Sequence, residues 1–423
     1  MKRLGVIVNP VAGIGGRVGL KGSDGTEVVR QALERGATRE APHRAQLALE
    51  RLARLKDEIE VLTGPGEMGE DEARAAGLEP TTVGSLAGRP TFAAWAGEHR
   101  GGRTRAEVAG SADVVGSAEV AGSADVTGRA QVPGEDFVLT TAADTEETAR
   151  ALEAAGVDVI LFAGGDGTAR NVYHAVGDRV PVIGVPAGVK IHSAVYATTP
   201  AAAGDVVALY LHDRPSSVHL RECEVMDIDE EAFRADRVSA RLYGYMRVPV
   251  ARGLVQSAKA GGVAGEESAL HDVAMDVIQQ MEPGELQIIG PGTTTRTILD
   301  RLGLPATLLG VDAVIDGELV AGDATEKDLL DLLERCDRAR IIVTAIGGQG
   351  HIFGRGNQQI SPAVIRRVGR DRILVIATQT KLLSLDGRPL LVDTGDPDLD
   401  TELCGYVKVT TGLGERIMYR VST

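Results

Sequence analysis

The sequence predicts an α/β protein in two parts: a parallel sheet with helices on both faces, then a second α+β domain rich in strands. Three observations carry that expectation. Apolar runs of strand length alternate with helical patterns through the first 213 residues, glycine-rich loops follow several of those runs, and beyond residue 213 the texture changes to longer, partly alternating strands.

The first strand is read at Leu4 to Val8, followed by a glycine-rich loop to Gly25, helical patterns near 27–35 and 43–56, and a strand at Ile59 to Leu62. After an insert at about 84–136 come a helix from Asp144 to Ala155, a strand at Val157 to Phe162, a tight turn with a helix, and a strand at Val180 to Val185. In the second part, strands are expected at Val218 to Asp229, Ser239 to Val250, Ile341 to Thr344, Ile373 to Ile376 and Tyr406 to Val409. Helices interrupt them near 265–281, 294–302, 325–335 and 362–368. The chain therefore divides into 1–213 and 214–423. Ligands of parallel sheets bind at the carboxyl ends of the strands, so the loops after the first, third and fourth strands should face one cleft.

The insert has a period of six. Valines at 108, 114, 120, 126 and 132 and glycines at 110, 116, 122, 128 and 134 repeat in register with alanines at 106, 112, 118, 124 and 130. Such hexads build left-handed β-helices in certain acyltransferases, but these few repeats fall short of the three stacked units a solenoid needs. A surface excursion dominated by Gly, Ala and Ser is expected instead.

At 423 residues and 43% hydrophobic content the chain can bury two cores. A net charge of −15 argues against nucleic acid or an anionic membrane as the main partner, because phosphate backbones are bound through clustered Lys and Arg. Any phosphate ligand must then meet local basic groups, and Lys190, Arg296, Arg355 and Lys381 sit in or beside the glycine loops. Cys223, Cys336 and Cys404 lack the close spacing of a zinc site or a disulfide framework. No stretch approaches the roughly 20 apolar residues of a membrane span, so a soluble, cytoplasmic protein is expected. A homo-oligomer is expected as well.

The densest chemical signal is Gly164-Gly165-Asp166-Gly167-Thr168, between a buried strand and a helix. Glycines permit positive φ and keep Cβ atoms away from a phosphate chain, Thr168 can cap the helix, and the helix start attracts anions. Asp166 is the odd member: a carboxylate beside phosphates is repelled unless it handles a proton, a hydroxyl or a metal ion. Asn171 lies five residues on, as a second polar contact or a plain exposed helical residue. Lys190, beside His192 and Ser193, offers a point charge for a β- or γ-phosphate. Two further segments repeat the anion-cradle pattern, Gly290 to Arg296 with Gly292, Thr293, Thr294 and Arg296, and Gly347 to Asn357 with Gly348, Gly350, His351, Arg355 and Asn357. Two such loops in one domain are more than fold maintenance requires, with an ordinary glycine turn as the lesser alternative for either. Asp393 and Asp396 are candidate metal or ribose contacts, against a background of acidic turns in an acidic chain.

These residues resemble a known family. GGDGT is shared by NAD kinases, 6-phosphofructokinases and the diacylglycerol and sphingosine lipid kinases. Together with Asn9-Pro10-Val11-Ala12-Gly13, Gly184 to Lys190, Gly290 to Arg296 and Gly347 to Asn357, it makes the chain similar to the ATP- or polyphosphate-dependent NAD kinases of the AcoX-like type. The resemblance spans the chain apart from the insert. It implies a Rossmann-like three-layer nucleotide domain, a β-rich α+β carboxyl-terminal domain, and an active site between them. It also implies phosphorylation of the 2′-hydroxyl of the adenosine ribose of NAD, with Mg²⁺ and with ATP or polyphosphate as donor. Asp166 would then be the catalytic residue, either receiving the hydroxyl proton or holding Mg²⁺ through water, and Asn9 with the loop residues above would bind nucleotide and phosphate. The chain departs from the better-known NAD kinases in lacking their Asn-Glu pair and their Thr-Pro-Thr-Gly-Ser-Thr-Ala-Tyr-like turn. Two other readings share the motif: a lipid kinase, for which 3% aromatic content offers little apolar entry surface, and a non-catalytic nucleotide-binding regulatory protein.

Overall fold

The computed structural model describes residues 1–20, 26–92, 94, 137–188, 191–212, 218–228, 240–251, 266–307 and 309–423. The repeats of the insert and Lys190 lie outside the described residues.

Strands β1 (Lys2–Val8), β2 (Ile59–Thr63), β3 (Pro80–Thr82), β4 (Val159–Gly164) and β5 (Val182–Pro186) form a parallel sheet in the order β3-β2-β1-β4-β5. All residues of β4 are buried, as expected for an inner strand covered on both faces. The covering helices are α1 (Thr26–Glu34), α2 (Glu40–Glu50), α3 (Glu70–Ala75), α4 (Ala142–Ala154), α5 (Asp166–Val176) and α6 (Pro200–Leu211). A capping box between Thr141 and Asp144 starts α4, and Thr199 starts α6 by accepting the Ala202 amide ahead of Pro200. Strand order reverses between β1 and β4. The loops after these two strands therefore flank the switch-point crevice.

A long antiparallel hairpin follows, β6 (His219–Ile228) with β7 (Ala240–Val250). Its inward residues Cys223, Val225, Met246 and Val248 join the core of the first sheet. By packing, the first unit thus extends through the hairpin, beyond the division expected between residues 213 and 214.

The second unit is a mixed nine-stranded sheet. In sequence it runs β8 (Leu286–Ile289), β9 (Asp312–Ile315), β10 (Glu318–Ala321), β11 (Ala339–Thr344), β12 (His351–Phe353), β13 (Ile373–Ile376), β14 (Leu390–Val392), β15 (Gly405–Gly412) and β16 (Glu415–Ser422). Spatially the order is β10-β9-β8-β11-β13-β15-β16-β14-β12. Alternation sorts its side chains: Leu286, Ile288, Ile341, Val343 and Val375 enter one core, while Ile289, Ile342 and Ile376 enter the core on the other face. Helices α7 (Glu266–Gln279) and α8 (Thr293–Leu302) cover the second face. The first face receives α9 (Glu326–Leu333), α10 (Pro362–Val368), α11 (Gln379–Leu383) and α12 (Pro397–Leu403). The strand-rich expectation holds, with helices on both faces. Among the described residues no helix is long and apolar enough to cross a membrane.

The insert leaves and returns at one place. Phe92 N donates to Phe137 O (2.7 Å), Leu139 N donates to Pro90 O (2.9 Å), and the rings of Phe92 and Phe137 stack at 5.3 Å.

Helices α2 and α6 approach closely at Gly204, where a Cβ would stand 2.2 Å from the Ala48 carbonyl oxygen. Helix propensity favours Ala over Gly by about 1 kcal/mol, whereas overpacking costs roughly 1–3 kcal/mol. Packing should win. Gly204→Ala is expected to lower the midpoint of thermal unfolding, measured by circular dichroism; an unchanged or raised midpoint would refute the close packing.

Candidate active site

The GGDGT turn joins β4 to α5 at the switch point. Gly165 is the N-cap of α5, with φ −113°, so Asp166 opens the helix and Thr168 lies within its first turn. Two expectations are corrected here. None of Gly164, Gly165 and Gly167 has positive φ. For Gly164 and Gly165 the need is space: a Cβ on Gly164 would fall 2.3 Å from Thr168 Oγ1, and one on Gly165 would fall 3.1 Å from the Gly188 Cα. Nor does Thr168 cap the helix; buried at 3% exposure, its hydroxyl accepts a hydrogen bond from Asn9 Nδ2 at 3.0 Å. Asn9 N in turn donates to Ala163 O at 3.0 Å, so the loops after β1 and β4 are tied across the crevice.

The loop after β5 closes against the same turn. Ala187 N and Gly188 N both donate to Gly164 O, at 2.9 and 3.1 Å. The hydroxyl of Tyr196 donates to Gly165 O, and burial raises this phenol's pKa well above its ordinary value, keeping it a neutral donor. Gly13, at φ 75°, sits where a Cβ would stand 2.0 Å from Ala187 O, so only glycine lets the loop after β1 come this near.

Asp166 is 5% exposed. Its Oδ2 accepts from His192 N at 2.7 Å, its Oδ1 accepts from Ser193 N at 3.1 Å, and His192 Nδ1 lies 3.3 Å from Oδ2. Two backbone donors hold the carboxylate in place and leave it further acceptor positions, since a carboxylate offers about four. Asn171 is buried on α5, which removes the exposed-helix alternative.

The second unit reaches this turn through the segment after β11. Gln349 Nε2 donates to Ile191 O at 3.2 Å, one residue from His192. His351 Nε2 lies 3.0 Å from Thr198 O, and Arg355 Nη2 donates to the same oxygen at 2.9 Å. Burial, then the Arg355 charge, holds the His351 pKa well below its ordinary value, so the ring is neutral and donates from Nε2. Asn357 accepts from Gly354 N (3.1 Å) and donates to Ile352 O (2.9 Å), closing its own turn. Gly348 and Gly350, with φ of 75° and 86°, turn the chain back into β12, and Gly348 O accepts from Arg388. The geometry shows His351 and Asn357 shaping the domain junction and its loop.

Gly292 caps α8 with φ 131°. Thr293 is exposed and Thr294 buried, with Thr294 Oγ1 accepting from Lys381 Nζ at 2.9 Å; the same ammonium donates to Thr344 Oγ1 at 3.1 Å. A lysine thus stands beside a helix start, as a phosphate cradle requires. Arg296 turns along its helix, 3.7 Å from Asp300. Asp396 caps α12 and pairs with Arg366, which lowers its pKa to about 2, a structural role that accounts for its charge.

Sequence reasoning missed Arg44, Tyr196 and the role of Asp393. Arg44 lies on α2, is 6% exposed, and pairs with the buried Asp393 carboxylate while donating to Pro186 O. Nothing in Glu40–Glu50 marks that arginine as buried; its partner is 349 residues away. Among the described residues no group of three or more His, Cys, Asp and Glu side chains could hold a metal. The single carboxylate of Asp166 fits an ion carried in on a phosphate chain, not a protein-built cage.

A loop with bare glycines and one fixed carboxylate, at the switch point of a parallel sheet and roofed by a second domain, defines a two-domain nucleotide-phosphate protein. The family model for the ATP-NAD kinase N-terminal domain matches residues 4–214, and that for the ATP-NAD kinase C-terminal domain matches residues 288–421. The chain belongs to the ATP-NAD kinase family, and so to a family of phosphotransferases. Neither the lipid-kinase nor the regulatory alternative gains support from these matches. No curated protein and no solved structure matches the chain.

His351 gives a pH prediction. Because its native pKa is depressed, the unfolded chain binds a proton below about pH 6.5 that the native protein does not, so stability falls as pH drops through that value. His351→Gln keeps a donor for Thr198 O and should flatten the decline in denaturant-derived stability between pH 7 and 5. An identical slope in both proteins would mean that His351 is protonated in the folded state.

Proposed function

We propose that the protein phosphorylates the 2′-hydroxyl of the adenosine ribose of NAD, yielding NADP, with ATP, another nucleoside triphosphate or polyphosphate as donor. The observation that carries the reading is the placement of Asp166: a buried carboxylate, oriented by two backbone amides, inside a glycine turn at the junction of both family-matched domains.

Phosphoryl transfer has a loose transition state, so catalysis is mainly alignment and charge stabilisation. The ribose oxygen forms a bond to the terminal phosphorus of the donor as the bond to the bridging oxygen breaks. The shortened phosphate leaves with that electron pair. The hydroxyl proton passes to Asp166, and His192 Nδ1 beside Oδ2 offers a route onward. Asn9, Thr168 and Tyr196 hold the turn rigid, which preserves the alignment. Donor phosphates, with Asp166 through water, would hold a Mg²⁺ ion; it would supply neutralising charge on the phosphate oxygens.

The expected outcome of incubating purified protein with NAD⁺ and Mg²⁺ is NADP⁺, detected by a coupled dehydrogenase assay, with ATP or polyphosphate as donor. Asp166→Asn should lower turnover by about 10²–10⁴-fold, the usual worth of a positioned base, while ATP binding by calorimetry persists. A variant with wild-type turnover would remove Asp166 from the chemistry; absence of NADP⁺ with either donor would overturn NAD as acceptor.

A further inference from the structure

A cleft opens between the two domains beside the GGDGT turn, and its chemistry differs from that of the Asp166 site. The loop after β1 contributes Gly13 and Arg17, α2 contributes Glu40 and Arg44, and the segments after β12 and β14 contribute Arg355 and Asp393. Gly188 also lines it, the residue against which Gly165 packs. Three guanidinium groups therefore face two carboxylates. Arg17 pairs with Glu40 at 2.9 Å, and Arg44 takes Asp393. Arg355 stands 3.7 Å from the same Asp393, beyond hydrogen-bond distance.

Arg355 is 5% exposed, yet its Nε and Nη1 make no hydrogen bond among the described residues. A buried guanidinium with unmade bonds is costly, and burial lowers its pKa to about 10. The cleft thus carries one excess positive charge and two donor nitrogens without a hydrogen-bond partner among the described residues. Its apolar wall is Pro186, Ala187 and Ile360, and among the described lining residues there is no aromatic ring to stack a base. A compact oxyanion matches these groups, because arginine forks pair with phosphate oxygens.

We propose that Arg355 and Arg44, with Arg17 at the rim, form a binding site for a phosphate group, and that its occupant clamps the two domains together. The phosphate belongs to either the dinucleotide pyrophosphate or the chain of the phosphoryl donor; only this choice of ligands rests on the kinase reading. Asp393 holds the arginines in place until the ligand arrives.

Calorimetric titration of the full chain with inorganic tripolyphosphate, and separately with NAD⁺, tests this. In Arg44→Gln the affinity for one of the two ligands should fall tenfold or more. In Arg17→Gln, a partly exposed position at the rim, it should fall threefold or more for the same ligand. The ligand that responds identifies the source of the phosphate. Unchanged affinities for both ligands in folded Arg17→Gln and Arg44→Gln overturn the proposal, as does a wild-type protein that binds neither. Should Arg44→Gln fail to fold, Arg17→Gln decides alone. Tripolyphosphate binding that depends on these arginines, in a protein that makes no NADP⁺, would uphold the phosphate site and sink the NAD kinase reading.

Discussion

One buried carboxylate, Asp393, gathers arginines from both sides of the domain junction. Arg44 comes from a helix of the first sheet and Arg355 from a loop of the second, and each also reaches a backbone carbonyl, Pro186 at the end of β5 or Thr198 beyond it. Removing one member of a buried ion pair typically costs about 3–5 kcal/mol, because the partner charge stays behind. The active-site geometry depends on this knot. It anchors Pro186 and Thr198, between which His192 and Ser193 supply the amides that hold Asp166.

The GGDGT turn shows how a glycine motif can be steric at heart. Its backbone is ordinary, with no left-handed residue, but three loops converge on it, and the space a Cβ would take is occupied by the Thr168 side chain or the backbone at Gly188. The polar contacts are equally dense: the Gly164 carbonyl takes two amides, the Gly165 carbonyl takes the Tyr196 hydroxyl, and Thr168 takes Asn9. Each of these groups is satisfied by a partner from another loop. The turn is thus rigid before any ligand arrives, as electrostatic catalysis requires.

Much of this was legible along the chain. Buried parallel strands are continuous apolar runs, so Val159–Gly164 and Ala339–Thr344 stand out, and Gly or Pro punctuation marks the loops after them. The second sheet was legible as strands but not as a layered unit, since whether helices cover one face or two depends on the alternate residues Ile341, Ile342 and Val343 meeting different neighbours. The hairpin β6–β7 follows a change of texture, yet Val225 and Met246 bury themselves in the first core.

Local spacing determined that a glycine-bracketed aspartate would sit where a buried strand passes into a helix, because the glycines separate an apolar run from a helical pattern. It also determined where the glycine loops lie. Which loops meet was decided by tertiary structure alone: Asn9 finds Thr168 across 159 residues, Gln349 finds Ile191 across 158, and Arg44 finds Asp393 across 349. The reason is physical. Period and turn chemistry are written over a few neighbouring residues, whereas the pairing of a buried charge depends on which strands end side by side, and no short stretch of sequence contains that.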